Sequence, residues 1–403
     1  MPSVALLLVP VCPVFCLILA LTVPLPVPVA RGAGACYLAL LPSPPHIMRQ
    51  LRKPYLLFLG DVDLKSDAKT AFGLRDWCRS DVMGEWSLPA ATVSLDLPRH
   101  SPSQAAALGA GSIVVGVAAV GGVLPAHWLP ELEAALDAGM DVVSGLHSRM
   151  TSFPTLVQAA QRGGGELRDV RHSDQVFAAG TGRKRSGQRV LTVGTDCALG
   201  KKYTALALTR ALTARGVPAT FRATGQTGIM IAGAGVAVDA VIADFIAGAA
   251  EALSPDNAAN HWDVIEGQGA LFHPAYAGVT LGLVHGSQPD ALVLCHDPSR
   301  DTIEGYPDCP IPDLQHAIDR YLEAARLTNR RVRCVGVSIN SSSLTDTQWQ
   351  AYAASVGLKL GLPVVDPMRG GVDALADALL ARLTTIAVTG WAERPEPLRD
   401  RDR

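Results

Sequence analysis

A chain of 403 residues, 48% hydrophobic and 18% charged, is long enough for two or three domains and a large buried core. A formal net charge of −2 argues against a nucleic-acid-binding surface, which needs a basic stripe. The eight cysteines (Cys12, Cys16, Cys36, Cys78, Cys197, Cys295, Cys309 and Cys334) include no CxxC pair, so neither a zinc framework nor a disulfide ladder is expected, only dispersed buried thiols in a reducing compartment.

From Met1 to Ala30 there is no charged residue, and Val, Leu, Ile, Ala and Pro dominate. Pro10, Pro13, Pro24, Pro26 and Pro28 interrupt any membrane-spanning helix. A secretory signal would want an early basic residue, and none precedes Arg31. Met48 opens a basic run that leads into an apolar strand. The expectation is a physiological start at Met48, with residues 1–47 an upstream translation artefact or a disordered segment; a targeting segment is the alternative. Expected location is cytoplasmic, with no membrane and no nucleic-acid partner.

Residues 48–187 read as a first α/β domain. Tyr55–Gly60 is a buried strand, and Ala91–Leu95 is a further β-type run. Helix Ser103–Leu108, strand Ser112–Val117, helix Pro130–Ala138 and strand Asp141–Ser144 follow. Alternating strands and helices predict a parallel sheet with crossover helices, a Rossmann-like domain. Gly109, Gly111, Gly116, Gly121 and Gly122 make a permissive loop. They form no GxGxxG followed by an acid, so a nicotinamide cofactor has little support. Gly163–Gly165 and the polar run Thr181–Gln188 mark a joint, and Arg183, Lys184 and Arg185 read as a solvated linker.

Residues 188–390 read as a second doubly wound α/β domain, and residues 391–403 as a charged tail. The strand Val190–Val193 enters the turn Gly194-Thr-Asp-Cys-Ala-Leu-Gly200-Lys201-Lys202, and a helix runs from Tyr203 to about Leu212. Strand, glycine loop ending in Gly-Lys, helix: this arrangement cradles phosphates, with backbone N–H groups and a lysine aimed at the anion. The loop is one residue longer than Gly-x4-Gly-Lys-Ser/Thr. Lys202 stands where a Mg²⁺-binding hydroxyl belongs, with Thr204 two residues on, which weakens the case for phosphoryl transfer. Strand Ala219–Ala223 leads to Thr224-Gly-Gln-Thr-Gly228. Helix Ala240–Leu253 and strand Trp262–Ile265 come next, the strand ending in Glu266-Gly-Gln-Gly269. Strand Ala291–Cys295, helix Asp313–Leu327, strand Val332–Ile339, strand Pro363–Val365 and helix Val372–Leu383 complete the domain.

In open parallel sheets ligands bind beyond the carboxyl ends of the strands. Asp196, Gln226, Glu266, Asp297 and Asn340 all fall there, so a shared site accounts for them better than five independent caps. Glu266 has the setting of a metal- or water-binding carboxylate, flanked by glycines that admit a ligand. His273 is an acid/base or substrate-binding candidate, or a satisfied loop histidine. Arg300 has the planar fork that suits a carboxylate or phosphate. No dedicated metal site is expected.

Gly194-TDCALGKK and Asp263-VIEGQG resemble the phosphate loop and acidic strand end of dethiobiotin synthetase and its relatives, and Asn340 resembles their base-reading asparagine. Beyond these, LFLGDVDLKSDAKTAFGLRDW, DVVSGLHSRM, VGTDCALGKKYTA, ATGQTGIMI, VIEGQGALFHPAY and GLPVVDPMRGG together resemble the D-glutamate N-acetyltransferase family, from about Tyr55 onward. The resemblance implies acetyl transfer from acetyl-CoA to the amino group of an acidic D-amino acid, a small-molecule substrate, in a protein expected to be a homo-oligomer. It assigns Gly194, Thr195, Gly200, Lys201, Lys202, Tyr203 and Asn340 to the phosphates and base of acetyl-CoA. Glu266 or Asp196 becomes the base, backbone N–H groups at Gln226, Thr227 and Gly228 the oxyanion donors, and Arg222 with Arg300 the carboxylate-binding cations. Cys197 as an acyl-carrying nucleophile has no supporting His or Asp spacing. Three alternatives stand beside this: an ATP- and Mg²⁺-dependent ligase or kinase, with Lys201 on the phosphates and Glu266 or Asp196 on Mg²⁺; a non-catalytic nucleotide-binding protein; and an oxidoreductase.

Overall fold

Strands with buried apolar centres alternating with crossover helices give two parallel sheets. The computed structural model describes residues 51–117, 120–172 and 175–388; the expectations for residues 1–47 and for the tail 391–403 lie outside them. The first sheet is built from β1 (Tyr55–Phe58), α1 (Lys69–Trp77), β2 (Val82–Trp86), α2 (Pro102–Ala107), β3 (Ser112–Val115), α3 (Leu129–Asp137), β4 (Asp141–Ser144), α4 (Pro154–Gly163) and β5 (Leu167–Asp169). Its five strands run in the order β2-β1-β3-β4-β5, all parallel. β1, β3 and β4 are buried along their whole length, as strands covered on both faces must be. Leu56 and Phe58 enter one core layer while Tyr55 and Leu57 enter the other, the period-two alternation of a pleated strand.

One expected strand is not there. Ala91–Leu95 lies in a connection, and β2 at Val82–Trp86 takes the edge position instead. Gly84 and Glu85 hide the apolar pattern of β2. Glu85 is 1% exposed, and its carboxylate accepts from Leu95 N (2.6 Å) and Ser94 Oγ (2.8 Å). The β-type run thus satisfies a buried acid on a true strand rather than pairing in a ladder.

The second sheet follows with β6 (Gln188–Gly194), α5 (Lys201–Ala214), β7 (Ala219–Arg222), α6 (Gln226–Ala232), α7 (Ile246–Leu253), β8 (Trp262–Ile265), α8 (Ala277–Ser287) and β9 (Ala291–His296). It continues with β10 (Thr302–Ile303), β11 (Tyr306–Pro310), α9 (Leu314–Arg326), β12 (Arg333–Ile339), α10 (Asp346–Leu360), β13 (Val364–Val365) and α11 (Asp373–Val388). Six strands run parallel in the order β13-β12-β9-β6-β8-β7, and β10 with β11 forms a separate antiparallel hairpin. β8 flanks β6 on one side and β9 on the other, so the strand order reverses at β6 and opens a crevice at its carboxyl end. The helix expected over Ala240–Leu253 starts only at Ile246, after short 3₁₀ turns at Val238–Ala240 and Ala243–Phe245. Asp239, in the first of these turns, forms an ion pair with Arg171.

The carboxyl edges of the two sheets meet. One apolar cluster mixes Ala71, Leu74 and Val143 of the first sheet's layers with Ile229 and Met230 of α6. Polar ties cross the same seam: Thr70 Oγ1 to Thr227 Oγ1 (2.8 Å), Tyr203 Oη donating to Asp76 (2.6 Å), and Arg210 donating to the Trp77 carbonyl (3.3 Å). Tyr203, expected at the cofactor, thereby serves the seam. Tyr203→Phe should cost about 1.5–3 kcal/mol, the usual range for losing a hydrogen bond to a charged group. The midpoint of urea unfolding would measure it, and an unchanged midpoint would show that this tie does not hold the halves together.

Candidate active site

β6 ends at Gly194 and the chain turns back on itself. A Cβ at Gly194 would lie 2.9 Å from the Asp196 carbonyl and 3.1 Å from Lys201 Nζ, so only glycine fits. Ala198 and Gly200 hold left-handed φ angles of 54° and 98°, which curl the loop before α5 begins. The first N–H groups of α5 lack helical acceptors and present a positive dipole end. Lys201 is 7% exposed, and its Nζ donates to the Asp196 carbonyl at 2.7 Å. Burial holds its pKa below the ordinary lysine value.

Asp196 is fully buried and already engaged. Oδ1 accepts from Cys197 N (2.6 Å), and Oδ2 from Arg300 Nη1 (2.6 Å) and Glu304 N (3.0 Å). Arg300 thus braces the loop and also donates to the Cys197 carbonyl at 3.0 Å. Arg222 is likewise occupied, its Nε donating to Asp263 at 2.8 Å. Thr195 Oγ1 lies 2.9 Å from His296 Nδ1. Asn340 Nδ2 donates to Asp297 at 2.9 Å, joining the carboxyl ends of β12 and β9, two strands along from the loop.

His273 is 3% exposed and packs on Tyr276 and Tyr306, with ring centroids 4.4 and 5.1 Å away. Donor atoms of Asp196, Cys197 and His273 lie within 4.8 Å of one another. The structure thus supplies the neighbours for Cys197 that sequence spacing did not reveal. However, His273 Nδ1 accepts from Ala275 N at 3.1 Å, so in the neutral ring Nε2 carries the proton. Such a ring is a donor, not a base for the thiol, and burial lifts the Cys197 pKa further from thiolate.

Glu266 stands at the carboxyl end of β8, beside the loop. It is 3% exposed; Thr224 N (3.0 Å) and Gly225 N (3.1 Å) both donate to Oε2. Desolvation pushes its carboxyl up to about 7, opposed by the nearby charge of Lys202 and by the two N–H groups. α6 reaches this carboxylate because residue 228 is glycine: a Cβ there would come 2.2 Å from Oε2. Gly267 is tighter still, with a Cβ falling 1.8 Å from the Thr192 carbonyl on β6. Gly267→Ala should destabilise by at least the ~1–3 kcal/mol typical of overpacking. Denaturant titration would show it, and a neutral result would mean β8 can shift away from β6 at no cost.

Lys202 points away from the loop toward the first sheet. A Cβ on Gly73 of α1 would lie 2.8 Å from Lys202 Nζ and 2.8 Å from Thr227 Cγ2. Burial pulls the Lys202 pKa down to about 8, against the attraction of Glu266. Thr204, the next hydroxyl along α5, is 1% exposed and locked, bonding the Gly200 carbonyl (3.1 Å) and Ser338 Oγ (2.7 Å). Gln226 is 8% exposed, and its Oε1 has no partner among the described residues. Thr70, Gly73 and Asp76 belong to the same region but come from α1. Sequence reading missed them because α1 lies 127 to 157 positions before the residues it touches.

A Rossmann-like sheet followed by a phosphate-loop sheet, with a buried carboxylate at their seam, defines the class. Residues 176–376 match the family model described as a domain of unknown function (DUF1611_C), P-loop domain, and residues 83–173 match its Rossmann-like companion, DUF1611_N. A D-glutamate N-acetyltransferase from a Pseudoalteromonas species is 49% identical over 326 residues, 81% of this chain and 98% of the relative. A second, from Tritonibacter scottomollicae, is 47% identical over 331 residues, 82% of this chain and 99% of the relative. The crystal structure of a DUF1611 family protein from Anabaena variabilis superposes with a TM-score of 0.74 at 34% identity, covering 81% of this chain and 99% of that one. The chain belongs to this family, as the sequence resemblance implied.

Proposed function

We propose that this enzyme, an N-acetyltransferase by its family, moves an acetyl group from acetyl-CoA to the amino nitrogen of D-glutamate. Both relatives are named for N-acetylation of D-glutamate, and the phosphate loop supports acetyl-CoA as the donor. The observation that bears most on mechanism is the pairing of a phosphate loop with a buried carboxylate. The loop has Lys201 and the α5 N-terminus for phosphates. At its hydroxyl position it has a lysine that turns away toward α1, and the next hydroxyl, Thr204, is tied to Ser338. Such a loop grips the pyrophosphate of a carrier without the usual residue for positioning Mg²⁺ on a phosphoryl group. Beside it, Glu266 has a pKa of about 7, suited to accepting a proton at neutral pH.

In this reading Glu266 takes a proton from the substrate ammonium. The free amine attacks the thioester carbonyl, and the N–C bond forms as the C–S bond breaks. The nitrogen gives up a second proton as the amide forms; of the two protons, one passes by way of Glu266 to the departing thiolate and the other goes to solvent. N–H groups at the start of α6, at Gln226, Thr227 and Gly228, are the oxyanion donors. Asp196 braces the loop through Arg300, which leaves the base role to Glu266.

Mixing the enzyme with acetyl-CoA and D-glutamate should release free thiol, detected with a thiol reagent, and should do so in EDTA. ADP formation from ATP and Mg²⁺, with no thiol release across D- and L-amino acids, would replace this reading with the ligase one.

A further inference from the structure

The geometry points to Lys202 and Gln226 as the acceptor-substrate site: Lys202 takes a carboxylate and Gln226 Oε1 takes the ammonium of an acidic amino acid held between α1 and α6. This rests on the acyl-transfer reading and supplies the substrate contacts that reading lacks. Both arginines expected for the carboxylates are tied to internal acids, Arg222 to Asp263 and Arg300 to Asp196. Lys202 is different. It is partly buried, and among the described residues no carboxylate comes within ion-pair distance of its Nζ. Desolvation without a bonded counter-ion is costly, and the depressed pKa reflects that cost. An incoming carboxylate removes it.

Gln226 presents the complementary need. Its Oε1 is a buried acceptor without a donor, which native structures rarely leave unanswered. The side chain lies against Gly145, just past β4, where a Cβ would come within 2.7 Å of Gln226 Cβ. Neighbouring Thr227 shares the Gly73 surface with Lys202 Nζ. A cation with no ion pair among the described residues, 5.4 Å from the Tyr203 ring centroid, and an unpaired acceptor on one seam, with the Glu266 carboxylate adjoining, match an amino acid that offers a carboxylate, an ammonium and a proton to lose.

Calorimetric titration of the full chain with D-glutamate, and separately with glutarate, tests this. Lys202→Met should weaken both ligands by about tenfold to a hundredfold, the range for a charge-assisted contact. Gln226→Leu should weaken D-glutamate while leaving glutarate within about twofold, because glutarate has no ammonium; this second variant stands should Lys202→Met fail to fold. In steady-state assays Lys202→Met should raise KM for D-glutamate and leave KM for acetyl-CoA unchanged. Unaltered D-glutamate binding in both variants, or a KM effect confined to acetyl-CoA, overturns the inference and places Lys202 on the donor phosphates. Lys202-dependent binding of D-glutamate with no thiol release would sustain the site and overturn acyl transfer instead.

Discussion

Replacing Glu266 with glutamine should slow acetyl transfer about 10²–10⁴-fold, the range for losing a general base. The substitution keeps the shape, and Oε1 of the amide can still accept from Thr224 N and Gly225 N, so folding should survive. Affinity for acetyl-CoA should be unchanged, because the carboxylate does not face the phosphate loop's lysine. The pH profile carries the sharper test. The Glu266 carboxyl titrates near 7, above its ordinary value of 4.5, and only its ionised form accepts a proton. The wild-type rate should therefore fall as pH drops through about 7, and the glutamine variant should lose that limb. A variant that keeps both its rate and the limb near pH 7 would remove Glu266 from the chemistry.

Lys201→Ala should weaken acetyl-CoA and free CoA by about tenfold to a hundredfold or more, since a charge-assisted contact to phosphate is worth roughly 1.5–3 kcal/mol. The effect on folding should be small. Among the described residues Lys201 Nζ bonds the Asp196 carbonyl alone, and burial already disfavours its charge. Because Lys202 faces α1 rather than the loop, it should not compensate. Equal affinity in the alanine variant, measured by displacement of a fluorescent CoA analogue, would end the phosphate-loop reading. Donor affinity should also fall with rising ionic strength in the wild type more than in the variant.

The strands were the most legible part of the sequence. β4 and β8 were read at their observed ends from the short apolar runs Val142-Val143 and Val264-Ile265, which lie in strands buried on both faces. The helices α6 and α8 were not, and glycine is the reason. Gly282 and Gly286 of α8 resemble loop signals locally, yet a Cβ on either would strike Ile246 or Ala247 of α7, at 2.7 and 2.1 Å. They are there for close helix packing, which only the partner helix reveals. The rim of strand ends was legible too: Asp196, Gln226 and Glu266 do converge on the carboxyl edge of the second sheet. Which of them are free for chemistry was not legible. Arg300 with Asp196, Arg222 with Asp263, and Tyr203 with Asp76 are pairings across 41 to 127 positions, and charge type alone does not predict them. The share of α1 in the site was hidden for the same reason, since it arrives from the other sheet.

Lys202 in place of a hydroxyl also bears on which of two abundant adenosine carriers the protein admits. ATP travels largely as its magnesium chelate, and a loop whose hydroxyl position holds a lysine turned toward α1 gives that metal no oxygen to bind. Coenzyme A carries its phosphates without needing a metal bridge. In the acetyl-CoA reading, one residue at the head of α5 thus discriminates by withholding a metal ligand before the adenine is ever read, and it turns a loop geometry suited to spending a nucleotide into a handle for holding one.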